Sequence, residues 1–253
     1  MSLCLLFFCL CGQAVRAEDS PEALPAETVS KFAENVLLHV VLHEVGHGLI
    51  REFDLPVLGN EETMADAFAT HYLIHYLPDR ALDVLKARTV SLMMEANQVP
   101  REEWTVRGEH DNDARRAFQI AALAVAADPK KYSPIAMELG LTDGEVRDAA
   151  DYGAEIHRSW RRILRPLVMP PGMESQETRL TFDPSCKLSE QIRKNGLATE
   201  IDSALKRFDW HSQVTVAFQQ GDGGAAWGRS TRSIVVKSEY VRRFIQQGKN
   251  MSR

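Results

Sequence analysis

Between Phe32 and Phe53 the chain carries an apolar run with helical patterning, and this run constrains the fold more than any other segment. Val36, Leu37, Leu38, Val40, Val41 and Leu42 precede its centre, and Leu49 and Ile50 follow it, so apolar side chains cover nearly the whole circumference of the helix. A helix of that kind is buried in a core. Its centre nevertheless reads His43-Glu44-Val45-Gly46-His47. Ionisable side chains are rare in such positions unless they are paired or bound to metal. At helical pitch the two histidines lie one turn apart on one face, where both imidazoles reach a single tetrahedral metal ion. Glu44, beside the first of them, is placed to take a proton from a metal-activated water. Gly46 and Gly48 each weaken the helix by about 1 kcal/mol relative to alanine, which points to close approach of a second element.

The support downstream is independent of that motif. Asp54-Leu55-Pro56-Val57-Leu58-Gly59-Asn60 is a turn-forming linker, and Glu61-Glu62-Thr63-Met64-Ala65-Asp66 opens a second helix. A catalytic zinc site takes three protein ligands and leaves one position open, so two histidines are one ligand short. After one short reversal the Glu62 carboxylate can face His43 and His47, with Glu61 the next choice. Asp66, four residues on and on the same face, is placed to hold a ligand imidazole by its other nitrogen. The competing explanation is that these acidic residues favour a helix N-terminus through its dipole.

His43-Glu44-x-x-His47 followed by Glu62-x-x-Ala65-Asp66 resembles the gluzincin arrangement, in which a glutamate from an E-x-x-A-D helix is the third zinc ligand. The stretch from His43 to Thr70 is similar to a secreted zinc metallopeptidase family known mainly from sequence. Glu109-His110-Asp111-Asn112-Asp113-Ala114-Arg115-Arg116 matches that family's His-x-x-Asp-x-x-Arg region in part, and Ser159-Trp160 with Ile163-Leu164 is similar to its closing element. The resemblance covers roughly residues 30–168. It implies one Zn2+ ion held by His43, His47 and Glu62, with Glu44 as general base and then general acid, Asp66 orienting a ligand histidine, and a peptide or protein as substrate. A non-catalytic zinc-binding or peptide-binding scaffold derived from a peptidase is the alternative. Glu44 argues against it, because a structural metal site has no need of that carboxylate.

The 253 residues carry a net charge of −5 with no basic run, which gives no case for nucleic acid. Arg158, Arg161, Arg162 and Arg165 share one helix and read as a solvated or salt-bridged face. Leu3 to Leu10 has the length of a signal-peptide apolar region, too short to span a bilayer, and Val15-Arg16-Ala17 offers a cleavage site. A positive segment before it is missing. Cleavage there would leave Cys186 alone of the four cysteines, so no internal disulfide is expected. The expected location is secreted or periplasmic, with no stable membrane span after signal cleavage.

Residues 1–17 thus read as a signal peptide and 18–27 as a linker. A helical zincin-like catalytic domain follows over 28–168, with helices at about 28–53, 62–77, 79–97, 111–127, 132–139 and 142–164. Thr142-Asp143-Gly144-Glu145 reads as a capping box. Residues 169–187 read as a connector and 188–253 as an αββα unit, with a helix over 188–208, strands at 214–218 and 233–237, and a final helix. The expected fold class is α+β and mainly helical, with zincin-like metallopeptidase helices and a small β-sheet contributed by the C-terminal region. That unit is expected to supply the sheet that such enzymes place before the H-E-x-x-H helix, its Gly-rich edge lying along the cleft to bind a peptide by strand addition. An independent appendage is the alternative.

Peptide hydrolysis also needs a donor for the developing oxyanion. His110 is the catalytic candidate for this, with Arg115 or Arg116; a helix cap and surface pair is the competing role. His39 reads as a satisfied core histidine. His71 and His75 fall about 180° and 220° from Glu62 around the helix and read as interface or surface residues. His157 and His211 carry no motif, and Trp160 reads as a core anchor.

Overall fold

A computed structural model describes residues 29–57, 59–100 and 112–251. The expected signal peptide and linker, and the candidate His110, lie outside them. Among the described residues the protein is a mainly helical α+β structure, with a small four-stranded sheet drawn from the C-terminal region.

Helix α1 (Lys31–Glu52) is the axis of the molecule. Ser30 caps it, its hydroxyl accepting from the Ala33 N–H at 3.2 Å. From Ala33 to Ile50 only Glu34 and His47 are more than marginally exposed, as the all-round apolar pattern requires. Helices α2 (Glu61–Tyr76) and α3 (Pro78–Ala96) pack beside it, and α4 (Asp113–Ala127), α5 (Pro129–Glu138) and α6 (Asp143–Leu164) complete this side. The capping box of α6 is present: Glu145 N–H donates to the Thr142 hydroxyl at 3.3 Å, and Thr142 N–H donates to the Glu145 carboxylate at 2.8 Å. None of these helices is long and apolar enough to cross a membrane.

On the other side of α1 the sheet runs in the order β1-β2-β4-β3. Strands β1 (Thr178–Phe182), β2 (Val214–Gln219) and β4 (Ser233–Lys237) are mutually parallel, and β3 (Ala225–Gly228) pairs antiparallel with β4 at the edge. Helices α7 (Lys187–Lys194), α8 (Leu197–Lys206) and α9 (Ser238–Met251) cover the sheet. Val216, Phe218, Ile234 and Val236 join Leu38, Val41 and Leu42 of α1 in one buried cluster, so both regions share a core.

Two expectations fail here. Residues 169–187 contain β1: Thr178-Arg179-Leu180-Thr181-Phe182 alternates in period 2, but five residues in a polar segment are a faint signal, and the strand forms because β2 offers a partner. Phe182 stacks on Phe218 with centroids 5.3 Å apart. The single helix expected over 188–208 breaks into α7 and α8 at Gly196, whose φ of +87° turns the chain in the left-handed region that glycine tolerates.

Candidate metal centre

Helices α1 and α2 meet at Gly46. A Cβ there would lie 3.1 Å from Ala65 Cα and 3.1 Å from the Phe68 ring, so its absence lets the two backbones close. Gly48 meets the Trp227 ring of β3 in the same way, at 3.2 Å. Asn60 caps α2, its side-chain oxygen accepting from the Glu62 N–H at 2.8 Å and the Thr63 N–H at 3.2 Å. That cap fixes the first helical turn, where the dipole favours the carboxylates of Glu61 and Glu62.

Across this seam His43 Nδ1 lies 2.8 Å from Asp66 Oδ1, and His47 Nδ1 lies 2.8 Å from Glu61 Oε1. A carboxylate accepts only, so each Nδ1 carries a proton and each Nε2 is the atom left to bind a metal once any second proton is displaced. The two Nε2 atoms are 3.1 Å apart, with Glu62 Oε2 at 3.2 Å from the first and Glu62 Oε1 at 3.3 Å from the second. A tetrahedral metal with ligands at about 2.05 Å separates them by about 3.3 Å. The two imidazoles and the Glu62 carboxylate therefore stand close enough to share one ion, and an N, N, O set suits a divalent cation.

The carboxylates behind the imidazoles are themselves held. Arg116 of α4 donates to Asp66 through Nε at 2.7 Å and a terminal nitrogen at 3.0 Å, and Arg51 pairs with Glu61. Burial opposes charge on His43, but the Asp66 charge and hydrogen bond, with that of Glu62, outweigh it and lift the imidazole to about 9. His47 is raised likewise: burial lowers it and the hydrogen bonds of Glu62 and Glu61 overcome that. Burial would raise Glu62 and Asp66; the histidines hold Glu62 below the usual carboxylate range, and Arg116 and then His43 hold Asp66 well below it. The pocket thus favours positive charge between the imidazoles and Glu62.

Glu44 sits beside this group. One of its oxygens, Oε2, accepts the Trp227 backbone N–H at 2.8 Å, which ties the α1 helix to the edge strand β3. Between them opens a cleft of about 580 Å³, walled by Glu44, His47 and Glu62 on one side and Ala225, Ala226 and Trp227 on the other. Arg229 lines it as well.

His43, His47 and Glu62 are thus brought together, with Glu44 and Asp66 adjacent. Arg116, an oxyanion candidate from sequence, is instead buried against Asp66. His39 is buried with neither ring nitrogen hydrogen-bonded among the described residues, and burial holds it well below the ordinary histidine value, hence neutral. Trp160 is a core anchor, its ring 5.3 Å from Phe68. Sequence reasoning missed Trp227 of β3 and Arg229 of the turn after it, which reach the site from far along the chain and carry no motif. Glu61 as the partner of His47 was within reach, because it precedes Glu62 in the same first turn.

Fold and site together define a mainly helical α+β protein with a half-buried His/His/Glu group able to hold a metal ion, and a carboxylate next to it facing a cleft. The chain belongs to the DUF4344 family, described as "Putative metallopeptidase", whose sequence profile matches residues 2–164. Comparison with curated proteins and with solved structures gave no match.

Proposed function

We propose that the protein is a gluzincin-type zinc peptidase, with His43, His47 and Glu62 holding one Zn2+ and Glu44 acting as general base. The observation that carries this reading is the convergence of two imidazole Nε2 atoms and one carboxylate at 3.1–3.3 Å, with Glu44 beside them. A bound Zn2+ supplies Lewis acidity, making a water nucleophilic and polarising a carbonyl near neutral pH. The chain's own groups supply the rest. Glu44, steadied through Oε2 by the Trp227 N–H, takes the proton of the attacking water and returns it to the leaving amine. Asp66 and Glu61 hold the two imidazoles so that each Nε2 faces the ligand position, and Arg116 and Arg51 hold those carboxylates in turn. The β3 edge across the cleft offers backbone groups to an extended peptide, and Arg229 is assigned to the substrate's carbonyl or carboxylate groups. The apolar segment Leu3–Leu10 and the Val15-Arg16-Ala17 site support export and cleavage after Ala17, which N-terminal sequencing of exported protein tests.

The deciding experiment pairs metal analysis with a peptide-library digest. Glu44→Gln is expected to keep the wild-type metal content and lose hydrolysis, and Glu62→Ala to lose hydrolysis together with one bound ion. Hydrolysis by Glu44→Gln refutes the mechanism, and a metal content in Glu62→Ala equal to that of wild type refutes the ligand set.

A further inference from the structure

We infer that His71, His75 and His157 form a second metal site, separate from the His43–His47–Glu62 group, that takes one nitrogen-preferring divalent cation and ties α2 to α6. His71 and His75 lie one turn apart on α2, and His157 faces them from α6. His71 begins nine residues beyond Glu62, which places it about 13 Å along the helix and on the opposite face. The two groups therefore share a helix and no ligand.

The contacts follow one antiparallel register. Phe68 meets Trp160 with centroids 5.3 Å apart, and one turn along, His71 meets His157, also at 5.3 Å. The His71 and His75 rings are 4.2 Å apart, and one nitrogen from each of the three histidines lies within 4.8 Å of the others. His71 and His157 are buried, whereas His75 is exposed, so an ion has a route in and an open position toward solvent.

Hydrogen bonding selects the donor atoms. His157 Nε2 lies 2.8 Å from the Leu123 carbonyl oxygen, which accepts, so Nε2 carries the proton and Nδ1 presents a lone pair. That lone pair points at His71 Nδ1, 3.0 Å away. In the metal-free chain His71 Nδ1 is therefore the donor of that contact, and its Nε2, with no hydrogen-bond partner among the described residues, can take the proton when an ion displaces it from Nδ1. A backbone carbonyl behind one imidazole is the arrangement that orients metal-ligating histidines.

The electrostatics agree. Burial, then the charges His75 and His157 would carry and that of Arg161, push His71 down to about 3, and burial first also lowers His75 and His157. All three rings are neutral at pH 7, with lone pairs ready. A three-imidazole set without a carboxylate suits Zn2+, Co2+, Ni2+ or Cu2+ and rejects Mg2+ and Ca2+.

Zinc stoichiometry of the full chain, by mass spectrometry of gel-filtered protein and by titration calorimetry, tests this. Wild type is expected to hold two ions and His75→Ala one. His75 is exposed, so its truncation leaves the core intact, and His157→Gln provides a second removal of the same site. Co2+ loading adds a spectroscopic readout: His75→Ala should remove one of two sets of visible bands and leave the set that Glu62→Ala removes. An unchanged stoichiometry in both His75→Ala and His157→Gln overturns the inference. Loss of an ion in Glu62→Ala alone upholds the proposed peptidase site and overturns this one; loss in His75→Ala alone does the reverse.

Discussion

The Asp66–Arg116 pair makes a testable demand on stability. Asp66 is 2 % exposed, and its oxygens receive two hydrogen bonds from Arg116, at 2.7 and 3.0 Å, and one from His43 at 2.8 Å. Arg116→Met keeps the apolar stem and removes the guanidinium. Breaking a buried pair by deleting one partner typically costs ~3–5 kcal/mol. Two features place the expectation at the low end. His43 is lifted to about 9, so in the metal-free chain at pH 7 it is protonated and still compensates Asp66. Asp66 can also take up a proton, and neutralising a carboxyl of ordinary pKa at pH 7 costs about 4 kcal/mol, which is a ceiling.

The expected loss is therefore about 3 kcal/mol in chelator-treated protein at pH 7, read by urea unfolding. The pH dependence has a definite sign. In wild type the folded Asp66 value is depressed, so its contribution is complete above the unfolded value and is lost as pH falls through the folded one. Arg116→Met raises that folded value. The gap between wild type and mutant should then be fully expressed at pH 7 and shrink toward pH 4. Arg116→Met/Asp66→Asn should be more stable than Arg116→Met alone, because no charge is stranded. A loss below about 1 kcal/mol at pH 7, or a gap that widens in acid, refutes the reasoning.

Gly46→Ala should lower Tm more than Gly48→Ala in parallel thermal melts, because the first Cβ meets Ala65 backbone at 3.1 Å and the second meets only the Trp227 ring. Gly153→Ala on α6 would set its Cβ 2.4 Å from that of Ala126; overpacking of about 1–3 kcal/mol should exceed the gain of about 1 kcal/mol in helix propensity, as chemical denaturation would register. Because metal-free His43 holds its proton up to about 9, loading at pH 7 must expel it. Calorimetry in buffers of different ionisation enthalpy should read about one proton released per ion at this site, with affinity falling on acidification from pH 8 to 6. Zero release would refute a His43 that is protonated at pH 7 in the metal-free chain. Arg229→Ala should raise KM for peptide hydrolysis with little change in bound metal, measured on one fluorogenic peptide.

What could be read from the sequence divides along one physical line, the separation in chain between residues that touch. His43 and His47 are one turn apart, and Glu62 and Asp66 follow within 23 residues of His43, so helix periodicity and one short reversal are enough to bring them together. The helices were legible for the same reason, since α1 is apolar on all sides and α6 carries both halves of its capping box. The strand β1 was not, because five weakly patterned residues become a strand only through a neighbour 36 positions away, Thr178 against Val214. Nor was the meeting of His71 with His157. His71 reads from sequence as an interface or surface residue, although it is buried, and His157 carries no motif; the Phe68–Trp160 contact sets the α2–α6 register and brings them together across 86 residues.

The opposite wall of the cleft belongs to the same class. Trp227 lies 183 residues beyond Glu44, yet its backbone N–H is the donor to Glu44 Oε2. The contact depends on β3 being an edge strand, since an inner strand would have spent its N–H groups on two neighbours. It depends also on Gly48, where any side chain would press into the Trp227 ring at 3.2 Å. A glycine in α1 that weakens the helix is thus explained by a strand near the other end of the chain. The tryptophan ring seated on Gly48 fixes β3 at the distance at which its backbone meets the Glu44 carboxylate. Position 48 therefore couples the packing of the sheet to the orientation of Glu44, and a larger residue there should disturb Glu44 before it disturbs His43, His47 or Glu62.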